Sequence, residues 1–268
     1  INSFGNIFEQ VAKYRAGRSL WAKIVKEDLK AKDPKSVWLR MIAGGGGGGL
    51  TFEQPEMNIV RGAYYALISA LAGTQTMALC SFDEAYTIPT EYSARISLRT
   101  MQMLTHEMGL CETVDPMAGS SFMETLTNQM RSKMEEVMAD VDEEGGIKEM
   151  VRDGRIQAKV SKQAYDMQRN IDSGAFPKVG VNCFRIDEEE EREVEFHDYD
   201  TKDADLQVES LKKVRASRDQ AAVDKCLAQL KADAEADKNV MPAIVEAVKA
   251  YATVGEMTDT MVEIYGRY

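Results

Sequence analysis

"SVWLRMIAGGGGGGLTFEQPEMNIVRGAYYALISALAGTQTMALCSF", Ser36 to Phe82, decides the fold. Its opening, Ser36–Ala43, is short and largely apolar, so it reads as a strand buried on both faces. A run of glycines follows, Gly44–Gly49. Glycine weakens a regular element by roughly 0.5–1 kcal/mol relative to alanine, so the run reads as a loop. From Pro55 to Ala72, apolar residues recur at helical spacing (Ile59, Ala63, Ala66, Leu67, Ala70), and Pro55 suits the first turn. Thr76–Phe82 is a second apolar strand with Asp83 and Glu84 at its end. Strand, loop, helix, strand in that order calls for parallel strands joined by a helical crossover. A parallel sheet needs both faces covered, so further strands must come from elsewhere.

Outward from this unit the pattern is helical. Ile7–Leu29 carries Ile7, Val11, Tyr14, Leu20 and Ile24 at helical spacing, and Asp33–Pro34 stops it. Pro89–Thr90 breaks the chain before an amphipathic helix, Tyr92–Glu107. Beyond Asp115–Pro116 the character changes: Met123–Val141, Ser161–Ile171, Leu206–Ala234 and Met241–Ala252 read as helices, and Thr258–Ile264 closes the chain. Val179–Ile186 reads as a short strand, and the acidic run Asp187–Asp198 as a solvated loop or edge rather than a metal site.

Composition bounds the function. The chain has 268 residues and a net charge of −11, which argues against a phosphate-backbone binder and hence against a nucleic-acid partner. No apolar run approaches the roughly 18–20 residues that span a bilayer, and no signal peptide is visible at INSFGNIFEQ. The missing initiator Met points to processing or to a chain that begins mid-protein. Cys80, Cys111, Cys183 and Cys226 show no CxxC or CxxH spacing and read as thiols of a reducing cytoplasm. The histidines, His106 and His197, suggest structural or solvent-facing roles, and no Ser/His/Asp or Cys/His set is apparent.

Where parallel strands form a barrel, function gathers at their carboxyl ends. Here those ends are the glycine run and Cys80–Ala85. The run admits three readings: a flexible connector, bare backbone against a large flat ligand, or a phosphate cradle without the GK[ST] of a P-loop. Glu84 is either a cap for the next segment or a bidentate acceptor for a ribose diol or other neutral donors.

"PKSVWLRM", "NIVRGAYYALISALAGTQTMALCSFDEAYTIPTEYSARISLRTMQ", "VDPMAGSSF", "IDSGAFPKVGVNCFRI" and "ATVGEMTDTMVEIYGRY" resemble the large subunit of methylmalonyl-CoA mutase and related acyl-CoA mutases. The likeness runs the length of the chain. It implies an α/β fold: the carboxyl-terminal part of a TIM (β/α)8 barrel over residues 1–115, followed by a mainly helical extension over 116–268. It implies an isomerase that rearranges a carbon skeleton by a radical mechanism with adenosylcobalamin (coenzyme B12), which carries the hard chemistry while the protein positions substrate and excludes water. In the family the acyl-CoA threads the barrel and cobalamin caps its carboxyl end. The implied partners are an acyl-CoA substrate, a B12-binding small subunit or domain, the remaining barrel segment and a hetero- or homo-oligomer, with neither nucleic acid nor membrane.

By the same resemblance, Gly47, Glu84, Thr87 and Cys80 fall at cofactor-binding positions, and Gln75, Arg40, Ile42 and Gly44 at substrate-binding ones. No catalytic acid–base residue is implied in this chain. The departures are specific. The usual loop is close to "RTHSQTSGWSLT"; here Ile42 replaces histidine, Gly44 glutamine and Gly48 tryptophan, while Cys80 replaces asparagine. The three trimmed side chains at Ile42, Gly44 and Gly48 imply a changed cavity, for a bulkier or less polar acyl group than methylmalonyl; a same-family enzyme for another substrate, such as 2-hydroxyisobutyryl-, isobutyryl- or an alkylmalonyl-CoA, is one rival reading. The alternative is a catalytically silent relative that serves as an assembly or binding module. The cobalt-ligating DxHxxG motif does not occur in the sequence.

Overall fold

The computed structural model describes residues 1–3, 5–186 and 195–267. It is a mainly helical α/β structure with one small parallel sheet. By packing, it divides into two compact units, Ile1–His197 and Asp198–Tyr268. The sequence division at 115/116 falls inside the first unit, where the helix after Pro116 packs along the first helix.

In the first unit, α1 (Ile7–Lys23) starts where the Asn6 carboxamide accepts hydrogen bonds from the Phe8 and Glu9 backbone, and it ends in a π-helical turn, Ile24–Asp28. Its buried face, Val11, Ala12 and Tyr14, meets Ala43, Ile68, Ala72 and Met123 in one core. The sheet consists of β1 (Ile42–Gly45) and β2 (Thr76–Leu79), parallel, with Ile42 opposite Thr76 and Gly45 opposite Leu79. Helix α2 (Met57–Leu71) makes the crossover, and α3 (Glu91–His106) follows β2. On the other edge of β1 the Ser3 N–H donates to the Gly44 carbonyl at 2.8 Å and the Gly44 N–H to the Ile1 carbonyl at 3.0 Å. Residues 1–3 therefore lie beside β1 as a strand would.

Several sequence expectations are corrected. Ser36–Ala43 is not one strand: Pro34–Val37 is a 3-10 turn, because the Asp33 side chain captures the Lys35 N–H at 2.8 Å, and pairing begins only at Ile42. Gly44 and Gly45 belong to β1 rather than to a loop, and Gly47–Gly49 form a 3-10 turn. On α2 the buried residues are Asn58, Gly62, Ala66, Ile68 and Ser69; of the stripe that periodicity selected Ala66 is buried, while Ile59, Ala63, Leu67 and Ala70 are half-buried. Val179–Ile186 is a turn with a single bridge between Val179 and Cys183. Asn182 holds it, accepting from the Lys178 N–H at 2.7 Å and donating to the Ile171 and Phe176 carbonyls. Residues 187–194 of the acidic run lie outside the described residues.

Also in this unit, α4 (Ser121–Glu143) packs on α1, and α5 (Ile147–Arg152) and α6 (Arg155–Asp172) follow. Arg15 of α1 grips the start of α4 and the segment ahead of it, pairing with Glu124 at 2.8 Å and Asp115 at 3.2 Å.

The second unit contains α7 (Thr201–Ser217), α8 (Gln220–Glu235), α9 (Met241–Lys249) and α10 (Val254–Tyr265). The single helix expected over Leu206–Ala234 is broken: Arg218 is extended and the Asp219 carboxylate caps α8. Leu230, Ala243, Ala247 and Met257 form its core. Arg218, its side chain 4% exposed, pairs with Glu256 at 2.6 Å, and Glu256 completes a capping box with Thr253. Among the described residues no helix is long and apolar enough to cross a membrane.

Candidate functional site

β1 and β2 run in the same direction, so their loops emerge side by side at one end of the sheet. The eight candidate residues sort themselves along that direction. Arg40, Ile42 and Gln75 lie at the amino ends of the strands and line one cleft of about 510 Å³ with Trp38, Met41 and Thr76. Gly44 is mid-strand, opposite Ala78. Gly47, Cys80, Glu84 and Thr87 lie beyond the carboxyl ends.

Three of that last group meet. The Cys80 thiol stands beside the Glu84 carboxylate and the Gly47 backbone. Burial pushes the thiol up to about 11; the neighbouring Glu84 carboxylate adds to the rise, and the Gly47 contact opposes it. Cys80 is therefore a neutral donor at neutral pH. Glu84 is exposed and accepts the Ser81 N–H at 2.7 Å, which folds the start of the loop back on itself. Thr87 stands apart: its hydroxyl accepts the His197 N–H at 3.1 Å.

The glycines of the run serve different ends, and none of Gly44–Gly49 has a positive φ. A Cβ on Gly45 would stand 2.9 Å from the Tyr65 ring and 3.0 Å from Tyr65 Cβ and Leu79 Cδ1. On Gly46 it would meet Asn2 Oδ1 at 2.6 Å, and on Gly49 the Tyr65 hydroxyl at 2.5 Å. These glycines make room for the chain's own side chains. Gly47 and Gly48 differ, since a Cβ there meets nothing within 4 Å. Within the run, the bare backbone left open is thus that of Gly47 and Gly48, and Gly47 stands beside Cys80.

Sequence reasoning missed Asn58. Its side chain is buried, and it joins the loops after both strands. Oδ1 accepts the Thr51 N–H at 3.0 Å, and Nδ2 donates to the Thr51 carbonyl at 2.7 Å and to the Phe82 carbonyl at 2.9 Å. Arg61, one turn on, adds a hydrogen bond to Oδ1 at 2.8 Å and another to the Thr51 hydroxyl. A polar residue in the first turn of a largely apolar helix was the signal available. Asp83 was also passed over: it is buried, and its Oδ2 accepts the Thr90 N–H at 3.0 Å ahead of α3.

These residues fit a large flat cofactor at the carboxyl end in three respects: the open backbone of Gly47, a solvent-facing carboxylate and a neutral thiol stand together there. Among the described residues no group of three His, Cys, Asp or Glu side chains is placed to hold a metal ion. Nothing in the cluster supplies a nucleophile with a paired base.

A family model described as methylmalonyl-CoA mutase matches residues 1–267. The 2-hydroxyisobutanoyl-CoA mutase large subunit of Aquincola tertiaricarbonis is 38% identical over 99% of this chain and 47% of its own length. Human mitochondrial methylmalonyl-CoA mutase is 37% identical over 98% of this chain and 35% of its own. The Escherichia coli methylmalonyl-CoA mutase is 36% identical over 98% and 37%. The chain thus spans between about a third and a half of the relatives it matches.

Proposed function

Because the chain belongs to the methylmalonyl-CoA mutase family, we propose that it is the carboxyl-terminal part of the barrel, with its helical extension, of an adenosylcobalamin-dependent acyl-CoA mutase. Residues 1–115 supply two strands of that barrel and the loops that face the cofactor. The remaining strands and the B12-binding domain belong to the rest of the assembly. The observation that carries this reading is the placement of Gly47, Cys80 and Glu84 just beyond the carboxyl ends of two adjacent parallel strands.

When bound, adenosylcobalamin supplies the radical that starts the carbon-skeleton isomerisation. The residues of this chain do the positioning. Gly47 and Gly48 let a flat ligand approach the backbone closely. Glu84 accepts hydrogen bonds from neutral donors such as a ribose diol. Cys80, kept protonated, stands beside Glu84 without adding charge, and the Ser81 N–H orients the Glu84 carboxylate. At the opposite ends of the strands, Arg40, Ile42 and Gln75 line the acyl-CoA path. Ile42 and Gly44 leave that path less polar and wider than histidine and glutamine would, which suits an acyl group other than methylmalonyl. The near-equal identities to a 2-hydroxyisobutanoyl-CoA mutase subunit and to methylmalonyl-CoA mutases give neither substrate precedence.

The test is the complex purified from its source, with native mass, visible spectrum and turnover of a panel of acyl-CoA thioesters recorded together. A large complex with corrinoid absorbance and isomerase activity is the expected result. A chain that assembles but takes up no adenosylcobalamin would overturn the reading and leave a silent relative with an assembly role.

A further inference from the structure

We infer that Asn58 is a positioning residue: its buried carboxamide fixes the spacing between the two loops that carry the proposed cofactor contacts. The inference rests on the functional reading above for its purpose, but on the hydrogen bonds alone for its geometry. Gly47 reaches the site from the loop after β1, whereas Cys80 and Glu84 reach it from the loop after β2. No strand pairing joins these loops, because the ladder ends at Gly45 and Leu79. Asn58 makes the missing connection. It binds Thr51 through both N–H and C=O, as a strand neighbour would, and reaches Phe82 with the same Nδ2.

Residue type and place both matter. Only a carboxamide offers an acceptor and two donors in one plane at this length. Aspartate has the same shape but would set a second acceptor against two carbonyls. With 1% exposure, Asn58 has no water to replace a lost partner. Arg61 saturates Oδ1 and so holds the carboxamide in the orientation that points Nδ2 at both carbonyls. The helix face that lies close on Leu79 of β2 at Gly62 thereby also carries a side chain that ties the two loops together.

The experiment compares Asn58→Asp and the smaller, neutral Asn58→Ser with wild type. Ser97→Ala is the control, because it removes a different buried hydrogen bond nearby, Ser97 Oγ to the Leu79 carbonyl at 2.6 Å. Hydrogen exchange on the cofactor-free protein should speed up at least tenfold in residues 46–51 and 80–87 together in both Asn58 variants. Exchange in α1 and α4 should stay unchanged, and Ser97→Ala should not loosen the two loops together. In the assembled enzyme, adenosylcobalamin affinity should fall tenfold or more with the Asn58 variants while overall assembly persists. Loosening of one loop only, or of neither, overturns the clamp. Joint loosening with unaltered affinity overturns the positioning role. If the wild-type complex takes up no adenosylcobalamin, the functional reading falls by itself, and the exchange result still decides the clamp.

Discussion

Alanine scanning through the glycine run separates the glycines that accommodate the chain from those left open. At Gly45 the added Cβ would lie 2.9–3.0 Å from Tyr65 Cδ2, Tyr65 Cβ and Leu79 Cδ1. Tyr65 Cβ is fixed to the α2 backbone, so relief requires the helix to lift from the sheet rather than a side chain to turn. Overpacking of this kind costs about 1–3 kcal/mol, partly offset by the roughly 0.4–1 kcal/mol that alanine contributes by restricting the unfolded chain. Gly45→Ala should therefore destabilise by about 1–2 kcal/mol net, a fall of roughly 2–8 °C in Tm for a unit of this size. Gly47→Ala and Gly48→Ala meet no atom within 4 Å and have no positive φ, so they should be neutral or raise stability by about 0.4–1 kcal/mol. Calorimetric melting of the variants, with cofactor uptake measured on the same samples, reads both effects. Gly47→Ala should weaken cofactor uptake without lowering Tm, and Gly45→Ala the reverse order of severity. A Gly45→Ala protein that melts with wild type, beside destabilised Gly47→Ala and Gly48→Ala proteins, would refute the division.

Three further outcomes follow from the same geometry. With its thiol near 11 against an ordinary 9.0, Cys80 should react with iodoacetamide at pH 8 roughly tenfold more slowly than exposed Cys111. Its thiolate is about a hundredfold scarcer than that of a thiol at the ordinary value, and its higher intrinsic nucleophilicity recovers part of that. Glu84→Gln should narrow the gap; an unchanged rate ratio would remove Glu84 from the causes. In the carboxyl-terminal unit, Arg218 holds Glu256 down to about 2 from its usual 4.5. A depressed carboxylate stabilises fully above the unfolded value and loses that effect as pH falls through the folded one, so Tm should decline between about pH 5 and 2. Glu256→Gln should lower Tm at pH 7 and flatten that acid limb, and a limb as steep as wild type would contradict the assignment. Arg15→Met should speed exchange across residues 115–124 by freeing Asp115 and Glu124, while the second unit is unaffected; exchange unchanged there would show that the segment is held by packing alone.

Local and periodic features were legible in the amino-acid order alone. Apolar spacing marked α1, α2 and α3, and the order strand, helix, strand required β1 and β2 to be parallel, because a crossover of that length admits little else. The resemblance carried by five separated segments placed the chain in its family before any fold was in view. Tertiary structure decided what depends on residues distant in sequence. Bare glycine looks the same whether it spares room for Tyr65, as at Gly45 and Gly49, or is left open, as at Gly47 and Gly48. Asp33 and Asn182 turned apolar stretches into turns through side-chain hydrogen bonds that hydropathy patterns do not register. Asn58 could not be recognised as a link between two loops until Thr51 and Phe82 stood on either side of it, since a carboxamide has no preferred partner until burial leaves it without water.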